Sequence, residues 1–161
     1  GTRGWSARPS LRFRVGARGN RRALRKPTSL PPDFLRLVHQ NGQDADCVVA
    51  VLGTLCGWTR DESLVRCAAV QPAVLETGMT DAEIASVLRR ARVKFSSRKT
   101  GLFDIDEDTG MLTVRKRGGA QHVVVLWAGR IIEGNGELWL SSQDYLQHHG
   151  FRAVSLWTRV E

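Results

Sequence analysis

Cys47, His122 and Glu133 bring a thiol, an imidazole and a carboxylate to one chain in an order suited to nucleophilic acyl chemistry. A thiol attacks as its thiolate, a form favoured at a helix N-terminus or beside an imidazole. Cys47 opens the first strongly helical run, in which Val48, Ala50, Val51, Leu52 and Leu55 precede Gly57. Asp46 stands just before it, where a carboxylate suits the helix dipole. His122 opens the densest apolar run, His122-Val123-Val124-Val125-Leu126-Trp127, which reads as a core strand. Glu133 lies on the next strand, beyond a tight turn at Ala128-Gly129. Hairpin neighbours bring side chains together, and an imidazole base needs a third polar group to orient it. An amide side chain upstream of the thiol would complete the set by holding an oxyanion.

The elements that must position these residues follow from pattern and punctuation. Pro31-Pro32 closes an irregular stretch, a short helical segment is predicted over 34–39, and Asn41-Gly42-Gln43-Asp44 reads as a turn. After the Cys47 helix, Thr59 and Glu62 form a capping box for a second helix with Leu64, Val65, Ala68 and Ala69 as its apolar face. Thr80 and Glu83 repeat the signal for a third, with Ile84, Val87 and Leu88 inward. From Val93 the period becomes two. Strands are predicted at 93–95, as a hairpin of 102–105 with 111–114, at 122–127, 130–133 and 138–140, and at 151–157. Asn135-Gly136 is a turn, and a short helix over 142–149 ends at Gly150. Helices first and an antiparallel sheet after them make an α+β domain spanning 33–161.

The run Gly42-Gln43-Asp44-Ala45-Asp46-Cys47-Val48-Val49-Ala50-Val51-Leu52, followed by His122-Val123-Val124-Val125-Leu126 and Arg130-Ile131-Ile132-Glu133, resembles the bacteriocin-processing (C39-like) branch of the papain-like cysteine peptidases. In that branch Asp-Cys opens a long helix, a later strand begins with the catalytic His, and a further strand ends in Asp-Pro whose Asp orients that His. The resemblance covers roughly residues 40–158. It implies a papain-like fold, N-terminal helices packed on a C-terminal antiparallel sheet, with Cys47 as nucleophile, His122 as base and Glu133 in the place of the orienting Asp. Asn41 holds the place of the branch's oxyanion Gln, flanked by Gln40 and Gln43 as further amide donors. Val48 stands where Gly is common, and Gly134 where Pro follows the acid. These departures leave two readings: a thiol hydrolase acting on a peptide or isopeptide bond, and a papain-like domain kept without its activity.

Composition separates the domain from what precedes it. The net charge is +8, yet nine cations and no acidic residue lie before Asp33, whereas the remaining 15 basic and 16 acidic residues nearly cancel. The high pI therefore belongs to residues 1–32, an extended basic arm, and not to a charged face of the domain. Such an arm is Arg-rich and acid-free as transit peptides are, and equally fits an anchor buried in a large assembly such as a phage virion or tail. Its Phe13 and Val15 alternate with Arg12 and Arg14 as in a strand added to a partner's sheet. Nucleic-acid binding by the arm is a third reading, one that weakens steeply with salt. The chain opens on Gly1, as a fragment or processed product does. The three cysteines form no CxxC pair, which argues against a disulfide framework or zinc knuckle; Cys56 and Cys67 read as buried small hydrophobes. Asp104, Asp106 and Asp108 alternate like a calcium loop but lack its terminal Glu. No metal, cofactor or membrane span is expected; the chain is read as soluble or assembly-bound, with the bacterial cytoplasm or a phage particle favoured and the compartment otherwise open.

Overall fold

A computed structural model describes residues 46–119, 121–134 and 136–160. The basic arm, the segment 34–39, the turn at 41–44 and with them Asn41 and Gln43 lie outside the described residues. Helix α1 (Cys47–Cys56) is buried along nearly its whole length. An all-round apolar helix belongs inside, between layers. It stops at Gly57, which takes the left-handed φ of 76° and returns its N–H to Gly53 O. Helix α2 (Arg60–Ala68) starts on Thr59, whose side chain accepts from Glu62 N. The reciprocal half of that box does not form, because the Glu62 carboxylate binds Arg66 one turn on. A four-residue helix α3 (Val74–Thr77) precedes α4 (Asp81–Arg90), where Thr80 and Glu83 make the full capping box and Ile84, Val87 and Leu88 are buried.

Two sequence expectations fail here. Val65 is not on the apolar face of α2 but is 69% exposed, and Ser63 and Cys67 point inward instead. The Ser63 hydroxyl donates to Val49 O at 2.7 Å. This small polar residue lets α2 lie close on α1 with its own hydrogen bond satisfied. The predicted hairpin of 102–105 with 111–114 is absent as well. Residues 104–108 are a turn in which Asp104 Oδ1 accepts from Asp106 N and Asp108 Oδ2 accepts from Asp104 N. Such local side-chain bonds to the backbone compete with a strand ladder, and they also occupy the aspartates that alternate like a calcium loop.

Among the described residues the sheet has six strands: β1 (Phe95–Lys99), β2 (Thr109–Lys116), β3 (Gln121–Trp127), β4 (Arg130–Ile132), β5 (Leu138–Trp139) and β6 (Phe151–Arg159). Their spatial order is β1-β6-β2-β3-β4-β5, every pair antiparallel. Helix α5 (Ser142–His149) sits between β5 and β6 in the chain and ends, as expected, at a left-handed Gly150. The chain is thus α+β, helices packed with an antiparallel sheet.

The sheet is covered on both faces. Met111, Val123, Val125, Ile132 and Trp157 pack toward α1, α2 and α4. Leu112, Val114, Val124, Leu126, Ile131 and Leu156 pack with Tyr145 of α5 and Trp139. A strand covered on both sides needs no polar alternation, which is why β3 reads as a continuous apolar run. Each fully buried Val, Leu or Ile contributes about 1.5–3 kcal/mol, far more than the tenths that separate residues in helix propensity. Burial therefore decides the strand at 121–127. Where β2 crosses β6, a Cβ on Gly110 would stand 2.1 Å from Trp157 O, so only glycine allows that approach. Among the described residues, no helix is long and apolar enough to cross a membrane.

Candidate active site

Cys47 occupies the first position of α1 and is 7% exposed. The first N–H groups of a helix have no acceptor within it, and no side chain among the described residues caps those of α1. The neighbouring Asp46 does not cap either. Its buried carboxylate, 1% exposed, binds Arg60 at 2.6 Å and ties the start of α1 to the start of α2.

His122 is the second residue of β3 and reaches Glu133, the residue after β4. Nε2–H of His122 donates to Glu133 Oε1 at 2.9 Å. With Nε2 taken, Nδ1 is the nitrogen left for the Cys47 thiol, which lines the same cleft as the ring. The ring also stacks on Phe151, centroids 6.0 Å apart. Glu133 is held at its other oxygen: the Tyr145 hydroxyl donates to Oε2 at 2.5 Å. The turn at Ala128-Gly129, both residues at positive φ, folds β4 back on β3 and sets this geometry. The Glu133 backbone is fixed too, since Glu133 N donates to Glu137 O and Gly136 N donates to Glu133 O, each at 2.9 Å.

The electrostatics follow from these contacts. Burial pushes the His122 imidazole down, but its hydrogen bonds to Cys47 and Glu133 and their negative charge outweigh it, and its pKa is pushed up to about 10. Burial likewise pushes the Glu133 carboxyl up, and the hydrogen bond and charge of His122, aided by Tyr145, override it and hold the carboxyl below its ordinary range. His122 is therefore charged at neutral pH, and its charge faces the Glu133 carboxylate. Burial raises the thiol of Cys56 to about 12 and that of Cys67 to about 11. All three thiols are free.

Cys47 and His122 face a cleft of about 370 Å³. Its third wall is the segment from α3 to α4, with Glu76, Met79 and Asp81. Gly78, at φ 71° and ψ −158°, turns the chain between these helices; that region of backbone space is essentially closed to other residues.

The structure thus brings together Cys47, His122 and Glu133 as the sequence spacing predicts, while Asn41 and Gln43 lie outside the described residues. Sequence reasoning missed Tyr145 and the cleft wall at 76–81. The signal for Tyr145 was that the only tyrosine of the chain stands on the helix that follows the orienting acid. No metal-binding group of three or more His, Cys, Asp or Glu residues is present among the described residues. No protein-family model matches the chain, and no curated protein and no solved structure matches it.

Proposed function

We propose that the domain is a papain-like thiol hydrolase, akin to the bacteriocin-processing peptidases, that cleaves a peptide or isopeptide bond. The observation that carries this reading is Cys47 at a helix N-terminus, in one cleft with a His122 ring that is bound to Glu133. An inert buried thiol needs no imidazole beside it, and a merely structural histidine needs no carboxylate held at both oxygens.

In this reading Cys47 and His122 share one proton. Cys47 Sγ attacks the carbonyl carbon, and the oxyanion that forms meets the free N–H groups at the start of α1, with Asn41 or Gln43 as further donors. The C–N bond then breaks as His122 gives its proton to the leaving nitrogen, releasing an amine and leaving a thioester on Cys47. Water next attacks the thioester and loses a proton to His122; the C–S bond breaks, a carboxylic acid leaves, and the pair regains its proton. Glu133 keeps the ring oriented and stabilises its charge. The test is hydrolysis of a peptide library read by mass spectrometry: Cys47→Ala is expected to abolish cleavage while circular dichroism shows the fold intact. Full cleavage by that variant sinks the assignment.

The segregation of nine cations before Asp33 favours a second reading, in which the domain is a structural part of a large assembly such as a phage virion or tail, anchored by its arm. Deleting residues 1–30 would then abolish assembly, and Cys47→Ala would not.

A further inference from the structure

We infer that the cleft takes a peptide with an arginine or lysine side chain next to the bond to be cut, and that Glu76 and Asp81 receive its charge. The inference rests on the hydrolase reading above and concerns which substrate that site accepts.

Glu76 and Asp81 stand on either side of the Gly78 turn, Glu76 in α3 and Asp81 at the first position of α4. Both line the cleft that holds Cys47 and His122, and both are exposed. Among the described residues no arginine or lysine lines that cleft. Among the described residues neither carboxylate has a cation within ion-pair distance, in contrast to Asp46, Glu62 and Asp108, which are paired with Arg60, Arg66 and Arg98. Both stand in the first turn of their helices, where a carboxylate suits the dipole, but neither is neutralised by a described cation.

Beneath the two carboxylates the cleft is apolar, with Val48, Met79, Ile84 and Val123. Beside low-dielectric walls the field of the two carboxylates is strengthened, on the wall of the cleft formed by α3 and α4. The ligand that matches both features has a long apolar stem and a cationic tip, which describes arginine and lysine and no other side chain. An acidic residue at the same place would face two like charges.

The test uses the full chain and internally quenched peptides in which the residues flanking a central amide are arginine, norleucine or glutamate. At low salt, kcat/KM is expected to be about tenfold higher for arginine than for norleucine, and lower still for glutamate, with the preference shrinking as salt is raised. In the Glu76→Gln/Asp81→Asn double variant the arginine-to-norleucine ratio is expected to fall to within about twofold. Equal cleavage of the three peptides by the wild type, or an unchanged ratio in the double variant, overturns the inference and leaves the hydrolase reading standing. Failure of the wild type to cut any of these peptides or a random peptide library counts against the hydrolase itself, and the inference falls with it.

Discussion

Tyr145 and His122 bind opposite oxygens of one carboxylate, the Glu133 Oε2 at 2.5 Å and the Oε1 at 2.9 Å. Glu133 therefore cannot rotate without losing a bond to a charged group, and the imidazole inherits that fixity. Tyr145→Phe keeps the ring in its core position and removes only the hydroxyl. A hydrogen bond to a charged group contributes about 1.5–3 kcal/mol. The expected result is a loss of that size in urea unfolding with an unchanged denaturant slope, and a fall in any Cys47-dependent hydrolysis. Wild-type stability in Tyr145→Phe would mean that the hydroxyl is dispensable.

Thiol reactivity distinguishes the three cysteines. Cys56 and Cys67, pushed up to about 12 and about 11 by burial, stay protonated at neutral pH. Alkylation read by peptide mass is expected to modify Cys47 first, and His122→Ala is expected to slow that reaction at least about tenfold. Cys47 labelling no faster than Cys56 would show that the imidazole does not activate it.

The raised His122 pKa makes a prediction for stability against pH. A group whose folded pKa lies above its unfolded value stabilises the fold fully below the unfolded pKa and loses that contribution as pH rises through the folded one. For His122 the window runs from 6.5 to about 10. Unfolding free energy is expected to decline across it by a few kcal/mol, and His122→Gln is expected to flatten the decline. Glu133 has the opposite sign: its depressed pKa supports the fold above the unfolded carboxylate value and is lost as pH falls through the folded one. A profile with no decline above pH 6.5 would remove the ion pair.

Gly110 and Gly57 separate two kinds of glycine requirement. A methyl group on Gly110 meets the Trp157 carbonyl at 2.1 Å, whereas one on Gly57 meets nothing within 4 Å. Gly57→Ala is expected to cost about 1–2 kcal/mol, the strain of a left-handed alanine. Gly110→Ala should cost about 3 kcal/mol or more, because backbone must move. Thermal and urea unfolding of the two variants will rank them, and an equal cost would contradict the close approach of β2 and β6.

The site was legible in the sequence where local rules act. Cys47 could be placed at a helix start because Asp46 and the apolar run mark one, and Glu133 beside His122 because a two-residue turn leaves little freedom of register. Tyr145 was not legible as part of the site, since one aromatic in a short helix reads as core until its hydroxyl has a neighbour. The cleft wall at 76–81 escaped for the same reason: only tertiary packing of α3 and α4 carries Glu76 and Asp81 to the thiol. Val65 was misplaced because helical periodicity fixes a stripe but not which side of it faces α1, and Ser63 won that side through its bond to Val49. The hairpin at 102–105 failed because the Asp104 and Asp108 carboxylates satisfied the backbone locally.

The position of β6 bears on how the molecule comes into being. It is the final strand in chain order, yet in space it lies between β1 and β2 and joins them. A growing polypeptide therefore carries β1 for more than 50 residues before anything arrives to bind it. Until Phe151–Arg159 has been synthesised the sheet has a gap, and an open strand edge invites pairing with other chains. A chain stopped before Phe151 also lacks the ring on which His122 rests. Maturation on the ribosome is thus expected to be late, with β1 joining the sheet only when β6 slots into place.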